Sequence, residues 1–257
     1  MFAVTERPLL LPTALHHVPR RRPVVDLEVV IPAYNEATRI PNTLRRTVGY
    51  LQAQPWTSRI VVVDNGSADQ TGSAVERISA DERGSVPIEL VGCARPGKGA
   101  AVRRGLLSSS ASYVGFFDAD LATPLETIAT AVHHLTRGAT AVIASRHAPG
   151  ASFVKPQQLG RRVGGRAFRV LTRSMVPGVC DTQCGFKFFE RVAVARALVQ
   201  CRTSGFAFDV ELLQRLQRGG GAIVELPVAW TDGAQSTFRP IRDGLASFGA
   251  VIQMHRV

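Results

Sequence analysis

The sequence predicts an α/β fold with a mostly parallel central sheet and helices on both faces. Three observations carry that expectation: short apolar runs recur along the chain, a stretch of helical periodicity follows each, and polar residues stand where the runs end. Apolar runs without polar alternation suit strands buried on both sides. Strand and helix alternating at this spacing suit right-handed crossovers between parallel strands.

The elements follow in order. Val24–Ile31 reads as a strand broken by Pro32, and a helix runs through Leu44, Val48 and Leu51. Ile60–Val63 is the second strand, with a Gly66-Ser67 turn and a helix from about Asp69 to Ala80. Ile88–Val91, the Gly97-Lys98-Gly99 turn and the helix Ala100–Ser108 repeat the unit. Val114–Phe117 is the fourth strand, Pro124–Leu135 its helix and Ala139–Ala144 the fifth strand. Farther on, Gln158–Val176 is helical, Phe206–Glu211 opens another helix, and Gly219-Gly220-Gly221 ends it before the strand Ala222–Leu226.

In such a sheet a ligand sits at the carboxyl ends of the strands. Polar groups gather there: Tyr34-Asn35-Glu36, Asp64-Asn65-Gly66-Ser67, Gly97-Lys98-Gly99, Asp118 with Asp120, and Ser145-Arg146. Asp118 and Asp120 flank an alanine at the end of a buried strand, so two carboxylates leave the sheet together and are able to hold a divalent cation against a diphosphate. Asp64 either meets a nucleobase or ribose hydroxyl, or caps the next helix with Ser67. The Gly97-Lys98-Gly99 turn lacks the spacing of a Walker loop or a dinucleotide fingerprint. Either its backbone passes close to a ligand, with Lys98 adding a positive charge, or it is simply a glycine turn that opens a helix.

Arg162, Arg166, Arg169 and Arg173 fall on one helical stripe, beside an apolar face of Val163, Ala167, Val170 and Leu171. Such a stripe is either a solvated basic face or, because like charges at that spacing repel, a site for an anionic partner, substrate phosphate or lipid headgroup; the second is favoured. Asp181-Thr182-Gln183-Cys184-Gly185-Phe186-Lys187 packs an acid, an amide and a cation into one loop and strand. Asp209 and Glu211 stand near a helix start, where carboxylates are held ionised; Asp209 is a candidate cap, with Phe206 and Phe208 in the core.

Composition narrows the class. The 257 residues carry 45% hydrophobic and 20% charged residues, enough for one large domain with a substantial core. A formal charge of +11 comes mainly from arginine, since Lys98, Lys155 and Lys187 are the only lysines. Phosphate-bearing partners suit that balance, while no zinc-finger spacing or RNA-binding signature points to nucleic acid. No apolar run reaches the length of a membrane-spanning helix. Cys93, Cys180, Cys184 and Cys201 lack metal-like spacing and read as reduced thiols. Residues 1–23 place Arg20-Arg21-Arg22 after their apolar stretch, the reverse of a secretory signal, and read as a mobile leader.

Taken in order, the motifs resemble those of an inverting family-two glycosyltransferase of the GT-A fold, closest to dolichyl- or polyprenyl-phosphate sugar synthases of the glucosyl branch. The resemblance lies in Val30-Ile31-Pro32-Ala33-Tyr34-Asn35-Glu36, Val63-Asp64-Asn65-Gly66-Ser67, Gly97-Lys98-Gly99-Ala100-Ala101-Val102-Arg103, Phe117-Asp118-Ala119-Asp120, Ser145-Arg146, Asp181 to Lys187 and Phe208-Asp209-Val210-Glu211. It implies one domain over 24–257, with a nucleotide-binding half at 24–145 and an acceptor-binding half at 146–257 that ends in a helix.

The resemblance also implies roles. Pro32, Ala33, Tyr34, Glu36 and Asp64 would hold base and ribose, with Lys98 and Arg103 nearby. Asp118 and Asp120 would hold Mg²⁺ or Mn²⁺ beside the diphosphate of the nucleotide-sugar donor. Arg146, Arg161 and Arg162 would bind acceptor phosphate or donor diphosphate. Gln183 and Asp209 belong to the sugar and acceptor region, and Asp181 is a candidate base; Asp120, Arg146 and Asp181 form the catalytic set. A phosphate acceptor is already anionic and needs no base, whereas a hydroxyl acceptor would. Two departures stand out: Asn65 replaces a second acid after Asp64, and Gly233-Ala234-Gln235-Ser236-Thr237 lacks the lysine of a phosphate-approaching loop.

The expected enzyme moves a hexose, glucose, to a polyprenyl phosphate at the cytoplasmic membrane surface, without nucleic acid. The closing segment Ile241–Val257 lies on lipid or tucks onto the core. The alternatives are a soluble small-molecule acceptor with the same donor, and a non-catalytic nucleotide- or membrane-binding module.

Overall fold

Buried β-branched residues set up the sheet. β1 (Leu27–Ala33) and β2 (Ser58–Asp64) pair in parallel along their whole length, with Ala33 beside Asp64 at the end. A computed structural model describes residues 25–82, 84, 86–154, 159–231 and 249–251, with backbone alone for 159–164. The leader 1–23, the loop 233–237 and most of 241–257 lie outside these residues, as do the side chains of Arg161 and Arg162.

β3 (Ile88–Gly92) and β4 (Tyr113–Phe117) flank the first pair, both parallel to their neighbours. β5 (Ala141–Ser145) and β8 (Ile223–Pro227) form a second parallel pair. β7 (Phe186–Glu190) runs antiparallel between β4 and β5 and joins the two groups into one seven-stranded sheet, ordered β3-β2-β1-β4-β7-β5-β8. A separate ribbon pairs β6 (Ser152–Phe153) with β9 (Ala229–Trp230).

Helices cover both faces, as the alternation predicts. They are α1 (Ile40–Gln52), α2 (Thr71–Asp81), α3 (Lys98–Ser108), α4 (Thr127–Thr136), α5 (Leu159–Thr172), α6 (Arg191–Gln200) and α7 (Phe208–Arg218). One core cluster joins α1, α2 and α4 to the sheet through Leu44, Ile78 and Ile128; the other joins α3, α6 and α7 through Val102, Leu198 and Leu213. Gly115 lets Phe188 cross the middle of the sheet, because a Cβ there would strike the phenyl ring.

Three local expectations are corrected. Pro32 does not end the first strand: it pairs in register with Val63, as a proline near a strand's end is able to do. On α5 the inward face is Phe168 and Thr172, with Met175 just beyond, while Val170 is 71% exposed and Ala167 is also exposed. Asp209 does not cap α7; Ala207 occupies that position and Asp209 turns inward.

Candidate active site

At the ends of β1 and β2, short side chains knit two loops into one rim. Asn35 adopts a left-handed backbone (φ 55°), its N–H donates to Ser67 Oγ at 2.9 Å, and its Oδ1 accepts from the Ala68 N–H at 2.8 Å. Asp64 Oδ1 accepts from the Ser67 N–H and hydroxyl at 3.0 and 2.6 Å, which closes the loop on itself with one oxygen; neither residue caps α2, whose N-cap position is Gln70, so the capping alternative for Asp64 and Ser67 does not hold. Tyr34 is half exposed above this rim. Pro32 and Ala33 form its floor as the last residues of β1.

The turn before α3 is organised from two sides. Asn65 Oδ1 accepts from the Gly97 N–H at 2.8 Å, and its Nδ2 donates to the Cys93 and Arg95 carbonyls at 3.2 and 2.7 Å. That pattern needs an amide: a carboxylate would face two carbonyl oxygens. From the other side, the Ala100 N–H donates to the Ser204 carbonyl at 3.1 Å. Gly97 has φ 115°, and a Cβ there would collide with that same carbonyl; a Cβ at Gly99 would collide with Phe208. The two glycines therefore admit the segment 201–208 of the chain and open α3, which is the second of the two readings the sequence left for this turn. Glu211 fixes that segment by accepting from the N–H groups of Arg202 and Thr203 and from the Thr203 hydroxyl. Arg103, expected near the nucleotide, donates instead to the Cys201 carbonyl at 2.6 Å.

This scaffold delivers Lys98 to Asp118, with Nζ to Oδ1 at 2.6 Å. Burial lowers the Lys98 pKa, but the carboxylates of Asp118 and Asp209 outweigh it and the net shift is upward. Asp118 and Asp120 are brought to one side of a tight turn in which Leu121 takes a left-handed backbone (φ 51°) and its N–H donates to the Asp118 carbonyl at 3.2 Å. Asp120 Oδ1 accepts from the Ala122 N–H at 3.1 Å. Burial and then the negative Asp118 push the Asp120 pKa up. Glu36 is also pushed up, first by burial; Arg39 opposes this with a two-oxygen bridge at 2.7 to 2.9 Å, and Asp120 and Asp118 reinforce it. Carboxylates that repel one another at one sheet edge form a hard-oxygen set that a dication would relieve. No cluster of three or more ligating side chains exists among the described residues, so a cation here would complete its shell with donor oxygens or water.

Across the cleft, Arg146 leaves the end of β5. Its Nε and one terminal nitrogen donate to the two Asp181 oxygens at 2.7 and 2.8 Å, and its backbone N–H adds a third bond at 3.0 Å. The guanidinium also lies 5.5 Å from the centre of the Trp230 ring. Asp181 has no exposed surface, and Arg146 overcomes the effect of burial to hold its carboxyl far below the usual range. The Glu225 carboxylate in turn receives the N–H groups of Cys180 and Asp181. Asp181 is thus placed to orient Arg146, and its position does not fit the expected base. Gln183 lines the cleft beside Arg146, with Nε2 buried and lacking a protein partner. Asp209, expected in the acceptor region, is 3% exposed and pairs with the buried Lys187 at 2.7 Å. Arg169 reaches the His147 ring at 2.8 Å, behind Arg146.

Asp118, Asp120, Arg146, Gln183, Gly185 and Trp230 line one cleft. Residues 28–198 match the model of Glycosyl transferase family 2. The chain belongs to glycosyl transferase family 2. This family 2 glycosyltransferase is 32% identical over 224 residues to a dolichyl-phosphate beta-glucosyltransferase of Homo sapiens, covering 82% of this chain and 68% of that protein. The corresponding protein of Dictyostelium discoideum is 29% identical, with 85% and 70% covered. Glycosyltransferase AglD of Haloferax volcanii is 30% identical over 89% of this chain, which spans 37% of that protein's length. The fold is similar to glucosyl-3-phosphoglycerate synthase from Mycobacterium tuberculosis, solved with Mn²⁺, UDP-glucose and phosphoglyceric acid, at TM-score 0.68 and 19% identity over 90% of this glycosyltransferase and 79% of that chain. The GT-A arrangement read from the motifs is the arrangement found.

Trp230 and Glu225 were not singled out from the sequence; Gly185 was named there only as the glycine of the Asp181–Lys187 motif. Glu225 had a signal, an acid inside the apolar run Ile223–Leu226, whereas Trp230 had none.

Proposed function

We propose that this glycosyltransferase moves glucose from a nucleoside-diphosphate donor to a polyprenyl phosphate, with inversion at the anomeric carbon. The observation that carries the reading is the opposition, across one cleft, of the Asp118–Asp120 carboxylates and an Arg146 guanidinium fixed by Asp181. The match to the dolichyl-phosphate beta-glucosyltransferases supports the choice of sugar and acceptor.

The rim of Tyr34, Glu36 and Asp64 would take base and ribose, above the floor of Pro32 and Ala33. Asp118 and Asp120 would hold Mg²⁺ or Mn²⁺, which when bound neutralises charge on the leaving diphosphate. Lys98 adds its own positive charge there. Arg146, whose fork is locked in plane, would present its remaining N–H groups to acceptor phosphate, and Gln183 Nε2 offers an unused donor beside it. Arg161 and Arg162 would extend the phosphate-binding surface. An acceptor phosphate is anionic near neutral pH, so in-line attack needs positioning and charge stabilisation without a protein base. The sealed Asp181 agrees with that chemistry.

Among the described residues no helix is long and apolar enough to cross a membrane. The exposed Arg166 and Arg173 of the α5 region support a peripheral site on the cytoplasmic face. The test is incubation with labelled UDP-glucose or GDP-mannose, Mn²⁺ and polyprenyl phosphate, followed by organic extraction. Metal-dependent label from UDP-glucose in the lipid phase is the expected result. Label in a water-soluble glycoside would establish a small-molecule acceptor and overturn the lipid reading.

A further inference from the structure

The two oxygens of Asp118 have different neighbours. Oδ1 meets the Lys98 ammonium at 2.6 Å, while Oδ2 lies against Gly185, where any Cβ would collide with it. The carboxylate is held in one orientation, with 39% of its side chain open against 17% for Lys98. Lys98 is held too. It opens α3 between two glycines packed on Ser204 and Phe208, Asn65 grips Gly97, and the Phe116 ring lies 5.9 Å from the ammonium. The ammonium therefore stands at an oxygen that a hard cation at Asp118 would use.

We propose that Lys98 occupies the Asp118 end of the cation site in the donor-free enzyme, so that a divalent cation binds weakly until a diphosphate draws the ammonium away. This rests on the reading of Asp118 and Asp120 as cation ligands. A positive side chain and a dication compete for one oxygen and repel each other at that range. A diphosphate supplies new anionic oxygens to both, so the ammonium has somewhere to go and the dication takes its place. Lys98 is then a positioning residue that couples two binding events. Thermodynamic linkage makes the coupling mutual: nucleotide strengthens cation binding by the same factor that cation strengthens nucleotide binding.

The experiment is Mn²⁺ titration of the full chain, followed by the spin-resonance signal of free Mn²⁺, with and without UDP. Lys98→Met should bind Mn²⁺ alone about ten-fold tighter than wild type, and the strengthening by UDP should shrink by at least that factor. Lys98→Arg, which keeps the charge, should bind Mn²⁺ alone no tighter than wild type. Unchanged or weaker Mn²⁺ binding in Lys98→Met overturns the proposal, and so does tighter binding in both variants. Should Lys98→Met melt early, the ¹⁵N signal of the wild-type Lys98 ammonium serves instead. It should shift with UDP and Mg²⁺ together and hold with Mg²⁺ alone; a signal unmoved by both overturns the coupling. The underlying cation reading fails separately, if wild type binds no Mn²⁺ even with UDP or if joint Asp118→Asn and Asp120→Asn leaves binding intact.

Discussion

Asp181 gives both carboxylate oxygens to Arg146 and keeps no surface for a proton donor. Removing one charge of a buried pair costs about 3 kcal/mol or more, because the partner's charge is left uncompensated. Asp181→Asn should therefore lower the melting temperature by roughly 6–12 °C. The pKa shift sets the pH dependence. The folded value is depressed, so this stabilisation is present above the unfolded value near 3.8 and is lost only as pH falls through a much lower folded value. The loss on mutation should be equal at pH 5 and pH 8 in thermal melts. Asp120 has the opposite sign: its raised pKa adds stability below about 3.8 that disappears as pH rises through the folded value. At neutral pH the buried Asp120 charge is a burden, so Asp120→Asn should raise the melting temperature in chelator by roughly 1–3 °C while lowering kcat at least about 10²-fold. Asp118, Asp120, Lys98 and Arg146 were legible from sequence because charged side chains at strand ends declare their edge. Their partners were not, since whether Asp181 faces a substrate or an arginine is settled only when β5 and the 181 loop meet.

The turn at Gly97-Lys98-Gly99 shows how an element's neighbours decide its residues. Gly99→Ala would push a methyl against Phe208, an overpacking cost of about 1–3 kcal/mol, and would displace the first turn of α3 that carries Lys98. Loss of thermal stability and weaker UDP binding should appear together in melts and titration calorimetry. Helix and strand positions were readable because their periodicity is local, and the boundaries move by only a few residues. The inward face of α5 was misread, since four arginines and an apolar row leave two orientations and the core selects Phe168 over Val170. Asn65, noted as a departure, has a structural explanation in the turn it ties: Asn65→Asp should loosen the loop and lower stability by about 1–3 kcal/mol through unsatisfied carbonyls.

Across the molecule, one sheet binds chain segments far apart in sequence. At the edge away from the cleft, Glu28 and Arg59 sit in register on β1 and β2 and form a buried ion pair. Glu28→Gln should cost about 3 kcal/mol without changing Mn²⁺ binding, which separates stability from the site in one assay pair. The general architecture was readable from the alternation of strands and helices, but the reversed β7 was not, because five residues of Phe-Lys-Phe-Phe-Glu carry no mark of direction or place.

That reversed strand governs the order in which the protein is able to complete itself. Until residue 190 leaves the ribosome, the polypeptide backbone of β4 has an open flank, and β5 has been made with neither of its partners available. A nascent chain halted near residue 150 would carry an unpaired β5 and a β4 open on one side, both apolar and prone to self-association. A late-arriving five-residue keystone thus joins two separate strand groups into one sheet, and in the same motion sets Gly185 against Asp118 at the wall of the cleft.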